Sequence, residues 1–176
     1  MARVYLGVGS NIERERYIVA GLDALQGLFG ELALSPVYDS EAIGFEGQPF
    51  LNLVAAVDTE LSLAELAARL RHIETEHGRP AHASPNSSRQ LDIDILLYDQ
   101  LVGVINGVEL PRGEIMHNAF VLRPLAELAP ERLHPVVEQS YHALWQAYDK
   151  STQALKRVDF KWRGRVISNA GPDMLE

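Results

Sequence analysis

The spacing of apolar residues changes period several times along the chain, and each change marks an element. Arg3 to Val8 is β-branched and aromatic, with Gly7 and Gly9 closing it, and predicts a strand. Ser10 and Asn11 follow as turn and cap residues. From Ile12 to Phe29, Ile18, Leu22, Leu25 and Phe29 recur at helical spacing until Gly30 ends the run. Leu32 to Tyr38 and Phe50 to Asp58 predict two further strands, separated by the loop Asp39 to Pro49. Ser62 and Glu65 form a capping box for a helix running to about His77, with Leu63, Leu66, Leu70 and Ile73 on one face. Gly78 stops that helix. Arg79 to Ser88 holds two prolines, three serines and one asparagine, and predicts a long loop of the functional or mobile kind.

Gln90 to Tyr98 predicts a fourth strand. Leu101 to Leu110 reads as a hairpin turning on Asn106-Gly107, and Leu110 to Asn118 as another loop. Ala119 to Leu128 and Gln139 to Tyr148 read as helices. The order β-α-β-β-α-β predicts an α+β fold: a ferredoxin-like antiparallel sheet with helices on one face. The hairpin and the C-terminal helices would extend or cover it. Residues 1–149 form one domain on this reading. Residues 150–176 form a basic extension, because Lys150 to Val166 carries six cations against the single acid Asp159. Alternation of Val158, Phe160, Trp162 and Val166 predicts an added strand there, with Asn169 to Glu176 frayed.

Composition narrows the chemistry. The 176 residues contain no cysteine, which excludes disulfides, thiolate metal sites and a cysteine nucleophile, and suits a reducing cytoplasm. No apolar stretch is long enough for a signal peptide or a membrane span. The net charge of −8 argues against general nucleic-acid binding. An anionic substrate would need a local cluster of cations or a metal ion.

Arg89-Gln90-Leu91-Asp92-Ile93-Asp94-Ile95 carries the strongest candidate chemistry. Strand side chains alternate, so Asp92 and Asp94 share one face about 7 Å apart, while Leu91, Ile93 and Ile95 take the other. Two like charges so placed repel unless a divalent cation lies between them. Magnesium accepts one or two carboxylates and completes its octahedron with phosphates and water. The same residues also suit two solvated carboxylates on an exposed sheet face. Arg79 and Arg89 bracket the preceding loop, either as bidentate phosphate ligands or as surface partners of Glu74 or Glu76.

Three segments resemble the 6-hydroxymethyl-7,8-dihydropterin pyrophosphokinase family. They are Tyr5 to Asn11 (YLGVGSN), Arg89 to Ile95 (RQLDIDI) and Asn118 to Pro130 (NAFVLRPLAELAP). They stand in the family's order and spacing from about Val4 to Trp145. The resemblance implies a ferredoxin-like fold with additions, ATP as co-substrate and two Mg²⁺ ions. Asp92 and Asp94 match the metal-binding aspartates, and Arg79 and Arg89 match catalytic arginines that contact ATP phosphates. Glu74 matches an acid near the nucleotide. Asn52 matches the residue that reads the pterin edge, and Phe120 the aromatic that stacks on the ring. Phe50 sits where the family places another aromatic. Taken singly, each Phe also reads as a core residue. Ser40 to Gly44, including Ile43, matches the loop lining the pterin pocket.

The chain departs from the family pattern in several places. Asn86-Ser87-Ser88 stands where a Trp-Gly-Pro run is usual, and Glu41 stands where proline is common. Leu110-Pro111-Arg112-Gly113 replaces a Leu-Pro-His run, so Arg112 would take the histidine's place on phosphate. Asn118 occupies the position of a further nucleotide-contacting arginine. The expected protein is a cytoplasmic pyrophosphokinase, monomeric or homodimeric, that binds no nucleic acid and no membrane. A catalytically impaired paralogue that binds pterin or nucleotide without turnover is the second reading.

Overall fold

A central strand, β1 (Ala2–Ser10), pairs antiparallel on one side with β4 (Phe50–Thr59) and on the other with β5 (Asp92–Tyr98). The computed structural model describes residues 1–40, 48–78, 90–151 and 153–170. Beyond β4 lie β3 (Val37–Ser40) and then β8 (Leu155–Val158), giving the order β5-β1-β4-β3-β8, with the two-residue β2 (Ala33–Leu34) also on β4. The single strand expected over Leu32 to Tyr38 is divided into β2 and β3. Pro36 lies at the break and has no N–H for a ladder. Ser35 Oγ accepts the Val54 N–H across that break.

Helices α1 (Arg14–Phe29) and α2 (Leu63–Glu76) cover one face, the ferredoxin-like arrangement expected from the sequence. Ile18, Leu22 and Leu25 of α1 are fully buried against Val4, Leu6 and Val8 of β1. Burying each stabilises by about 2 kcal/mol before entropy is counted. The capping box of α2 is formed: Ser62 Oγ accepts from Glu65 N–H, and Glu65 Oε1 accepts from Ser62 N–H. The hairpin of β6 (Gly103–Ile105) and β7 (Val108–Leu110) turns on Asn106 and Gly107, both at positive φ. A short helix, α3 (Glu114–His117), stands inside the stretch expected to be loop.

On the opposite face, α4 (Ala119–Leu128) and α5 (Tyr141–Ala147) pack over Tyr5, Val54, Ala56, Leu96 and Leu97. Beside Leu96 the ladder slips: Tyr5 pairs with Leu97 but Leu6 with Ile95, leaving Leu96 as an extra residue in β5. Ile93 and Ile95 therefore join the α1/α2 core, while Leu96 and Leu97 both join the α4/α5 core.

The basic extension is built into this fold. The single strand expected over Val158 to Val166 is not formed: β8 ends at Val158 and pairs with β3, and a hairpin of β9 (Phe160–Trp162) and β10 (Arg165–Ser168) follows. Phe160 and Trp162 are buried in the α1/α2 core, and Trp162 Nε1 donates to Asp23 Oδ1 of α1 at 2.9 Å. Among the described residues, no helix is long and apolar enough to cross a membrane.

Candidate active site

The α4/α5 cover stops at the first turn of α4, and the sheet face beyond that point turns polar. Tyr5, Val54 and Ala56 lie under the helices. Farther along the same face come Gly7 and Gly9 of β1, Phe50 and Asn52 of β4, and Asp92 and Asp94 of β5. Cross-strand register places Gly9 between Asn52 and Asp92, and Gly7 between Val54 and Asp94. The two glycines lie between an amide and a pair of carboxylates, and neighbouring side chains use the space they leave: Leu96 packs over Gly7 and the Asn52 amide over Gly9. A Cβ on Gly9 would lie 2.6 Å from Asn52 Oδ1, so the close approach requires glycine.

The acidic pair is electrostatically tense. Burial, and then the Asp92 carboxylate beside it, push Asp94 well above the usual carboxylate range. Arg112 works in the other direction, with Nη2 3.6 Å from Asp94 Oδ1. The Leu96 irregularity accounts for its placement, because the Leu96 carbonyl accepts the Arg112 N–H at 3.0 Å. Glu114 holds the same guanidinium through Nη2 at 2.7 Å and Nε at 3.1 Å. Glu114 Oε2 in turn accepts from Asn118 Nδ2 at 3.4 Å. Among the described residues, no group of three or more His, Cys, Asp or Glu could cage a metal. Two adjacent carboxylates with room for other oxygen donors fit magnesium held partly by phosphates, and fit zinc or calcium less well.

Glu74 is buried in α2, and its Oε2 accepts the Ile93 N–H at 2.8 Å. It braces the backbone between the two aspartates, a contact that helical spacing alone does not reveal. Asn52 is also nearly buried and donates from Nδ2 to Ser40 Oγ at 2.9 Å, which fixes the direction of its amide. Phe50 pairs with Ser40 across β3–β4 and is half-buried. Phe120 stands in the first turn of α4, half-buried against the α4/α5 core. Pro124, having no N–H, leaves the Phe120 carbonyl without its helical donor.

The structure therefore brings Ser40, Phe50, Asn52, Asp92, Asp94, Arg112 and Asn118 to one end of the sheet. Arg79 and Arg89, with the whole loop between them, lie outside the described residues, as do Ile43 and Gly44. Residues Asp39, Gln48 and Pro49 are held by contacts from β1–α1. Arg14 of α1 donates to Asp39 Oδ2 at 2.8 Å and to the Pro49 carbonyl at 3.3 Å, and Asn11 Nδ2 donates to the Gln48 carbonyl at 3.1 Å. Ser10 and Asn11 read from sequence as turn and cap residues, but Glu13 holds the N-cap position of α1, without a side-chain capping bond. The burial of Ser10 and Asn11 and the Asn11 contact give the turn a second purpose.

Two carboxylates and an arginine held beside them gather at one end of an α+β sheet, a donor set of the kind that suits phosphate chemistry. Residues 5–130 match the family described as 7,8-dihydro-6-hydroxymethylpterin-pyrophosphokinase (HPPK). The chain belongs to that family. It is 37% identical over 138 residues to the 2-amino-4-hydroxy-6-hydroxymethyldihydropteridine pyrophosphokinase of Aquifex aeolicus, covering 77% of this chain and 86% of that protein. It is 41% identical over 133 residues to the Pseudomonas aeruginosa protein of the same name, covering 73% and 82%. The folic acid synthesis protein fol1 of Schizosaccharomyces pombe is 35% identical over 174 residues, covering 97% of this chain but 23% of that protein. Among solved structures, Plasmodium falciparum HPPK-DHPS superposes with a TM-score of 0.71 at 14% identity, covering 95% of this chain and 48% of that one. That likeness supports the fold. The chain spans about half of the Plasmodium protein's length.

Proposed function

We propose that this chain transfers a pyrophosphoryl group from ATP to the hydroxymethyl oxygen of 6-hydroxymethyl-7,8-dihydropterin, releasing AMP, as a cytoplasmic step of folate biosynthesis. The observation that carries the reading is the row Asn52–Gly9–Asp92 across three neighbouring strands, with the Asn52 amide oxygen lying over the glycine. Two strand spacings, about 10 Å, separate the backbone that carries an amide suited to a pterin edge from the backbone that carries carboxylates suited to a metal–phosphate group.

On this reading Asn52, with its amide fixed by Ser40, hydrogen-bonds the pterin edge, and Phe120 stacks on the ring. Phe50 and the 40–44 segment, including Ile43 and Gly44, line the slot. Asp92 and Asp94 hold magnesium, two ions in the fullest form of the proposal. When bound, the metal neutralises phosphate charge and polarises the β-phosphorus. Glu74 keeps the two carboxylates aligned through Ile93. Arg79, Arg89 and Arg112 neutralise the transferring oxygens, and Asn118 supplies a neutral contact where relatives carry charge. The hydroxymethyl oxygen forms a bond to the β-phosphorus as the bond to the bridging α–β oxygen breaks. The hydroxyl proton leaves, and AMP is the leaving group. Catalysis in such a transfer is positioning and charge neutralisation, so a dedicated general base is not required.

A coupled assay for AMP tests this. AMP should appear only with ATP, Mg²⁺ and the pterin all present. Tight binding of pterin and a nonhydrolysable ATP analogue with no AMP would establish the impaired paralogue instead. Nothing in the described site favours that alternative.

A further inference from the structure

The residues matched to the family end at 130, yet one side chain beyond them reaches the edge of the candidate pterin slot. Asn118 occupies the N-cap position of α4 but its side chain makes no capping bond, since its amide is turned toward Glu114. The first N–H of that helix, on the buried residue Ala119, is satisfied from outside: Gln153 Oε1 accepts it at 2.8 Å. Gln153 Nε2 also donates to the His117 carbonyl at 3.1 Å and to Asn118 Oδ1 at 3.2 Å. Tyr148 Oη donates to the same His117 carbonyl at 2.7 Å. Two residues after Gln153 the chain enters β8, where Leu155 pairs with Ser40.

One short stretch of the extension therefore grips both flanks of the slot. On one flank is the helix turn bearing Phe120, and on the other the strand end bearing Ser40, which orients Asn52. We infer that Gln153 is a positioning residue for the pterin: it fixes the first turn of α4, and through it the ring of Phe120, without touching substrate itself. The inference rests on the pterin reading above. Gln153 contacts neither aspartate nor Arg112 and reaches the nucleotide side only through Asn118 Oδ1, so its larger effect falls on the pterin.

Gln153→Ala and Gln153→Glu in the full chain test it. In Gln153→Ala the KM for 6-hydroxymethyl-7,8-dihydropterin should rise about fivefold, the ratio that loss of one capping hydrogen bond corresponds to. The KM for ATP and kcat should stay within about twofold of the parent. Gln153→Glu keeps an oxygen for the Ala119 N–H but loses the donor to the His117 carbonyl and Asn118 Oδ1, and should recover only part of the pterin KM. Hydrogen exchange at the Ala119 amide, followed without substrate, should quicken in Gln153→Ala and be slowed again in Gln153→Glu. An unchanged pterin KM in Gln153→Ala, or both KM values rising while kcat and thermal stability fall together, overturns the inference while leaving the activity standing. A parent enzyme that releases no AMP and binds no pterin overturns the activity, and the positioning role with it. Unchanged amide exchange removes Gln153 whatever the kinetics show.

Discussion

Gly9 lies directly opposite Asn52 in the β1–β4 ladder, with the Asn52 amide oxygen occupying the space a Gly9 side chain would need. Even a methyl group there must push the amide out of line with Ser40 Oγ. Gly9→Ala should raise the pterin KM about tenfold, the equivalent of one misdirected hydrogen bond, while the KM for ATP changes little. Steady-state kinetics with each substrate varied in turn checks this, and a parent-like pterin KM would remove Asn52 from recognition.

Asp94→Asn should reduce transfer on the order of 10³-fold, the scale on which a lost electrostatic contact to a transition state is felt. The metal-free fold should survive or gain. Because the folded state raises the Asp94 pKa, it binds that proton more tightly than the unfolded chain does. Stability from this group is therefore full below the unfolded value of about 3.9 and is lost as pH rises through the raised folded value. Removing the charge flattens that decline. Magnesium competes with protons for these carboxylates, so its apparent affinity should climb with pH. Titration calorimetry in buffers of different ionisation enthalpy reads the proton directly.

Glu127 should give a second pH signature, distant from the chemistry. It lies between Arg123 Nε at 3.7 Å and Arg157 Nη1 at 3.6 Å, joining α4 to β8. Burial pushes its carboxyl up to about 7, with Arg157 pulling the other way. The folded state again holds the proton more tightly, so stability should decline between about pH 4.5 and 7. Glu127→Gln should lessen that decline, which urea denaturation at several pH values would show. A parent curve rising across that window would mean the two arginines outweigh burial.

Trp162→Ala should cost about 3–5 kcal/mol in urea denaturation, the usual range for emptying a buried aromatic site. Asp23→Asn, which weakens only the indole hydrogen bond and an exposed pairing with Arg163, should cost less than about 1.5 kcal/mol. Equal losses would mean that the polar tether, and not the buried ring, secures the hairpin.

Regular elements were legible where local pattern decided them. The Ser62/Glu65 capping box, the Asn106-Gly107 turn and the Ala119–Leu128 helix all form as their residues predict. The shared face of Asp92 and Asp94 followed from alternation alone. Other features depend on partners far along the chain. Nothing near Leu96 announces an extra residue, because it exists only relative to Tyr5 and Leu6. Glu74 reads as a surface acid until β5 places the Ile93 N–H beside it. The tail was expected to add one strand, but Arg163 and Gly164, both at positive φ, turn it back so that a hairpin follows β8. Alternation from Val158 to Val166 cannot register such a reversal. Gln153 gave no signal at all, since its partners, the backbone of residues 117 and 119 and the side chain of Asn118, lie more than thirty residues away along the chain.

Deleting Leu96 would restore uninterrupted pairing between β1 and β5, and by the ordinary standards of a sheet it would be an improvement. It would also remove the carbonyl to which Arg112 is moored, leaving the guanidinium and its glutamate partner without a fixed berth beside the acids. The most regular version of this sheet and the version that can work on phosphate are different molecules, separated by one residue.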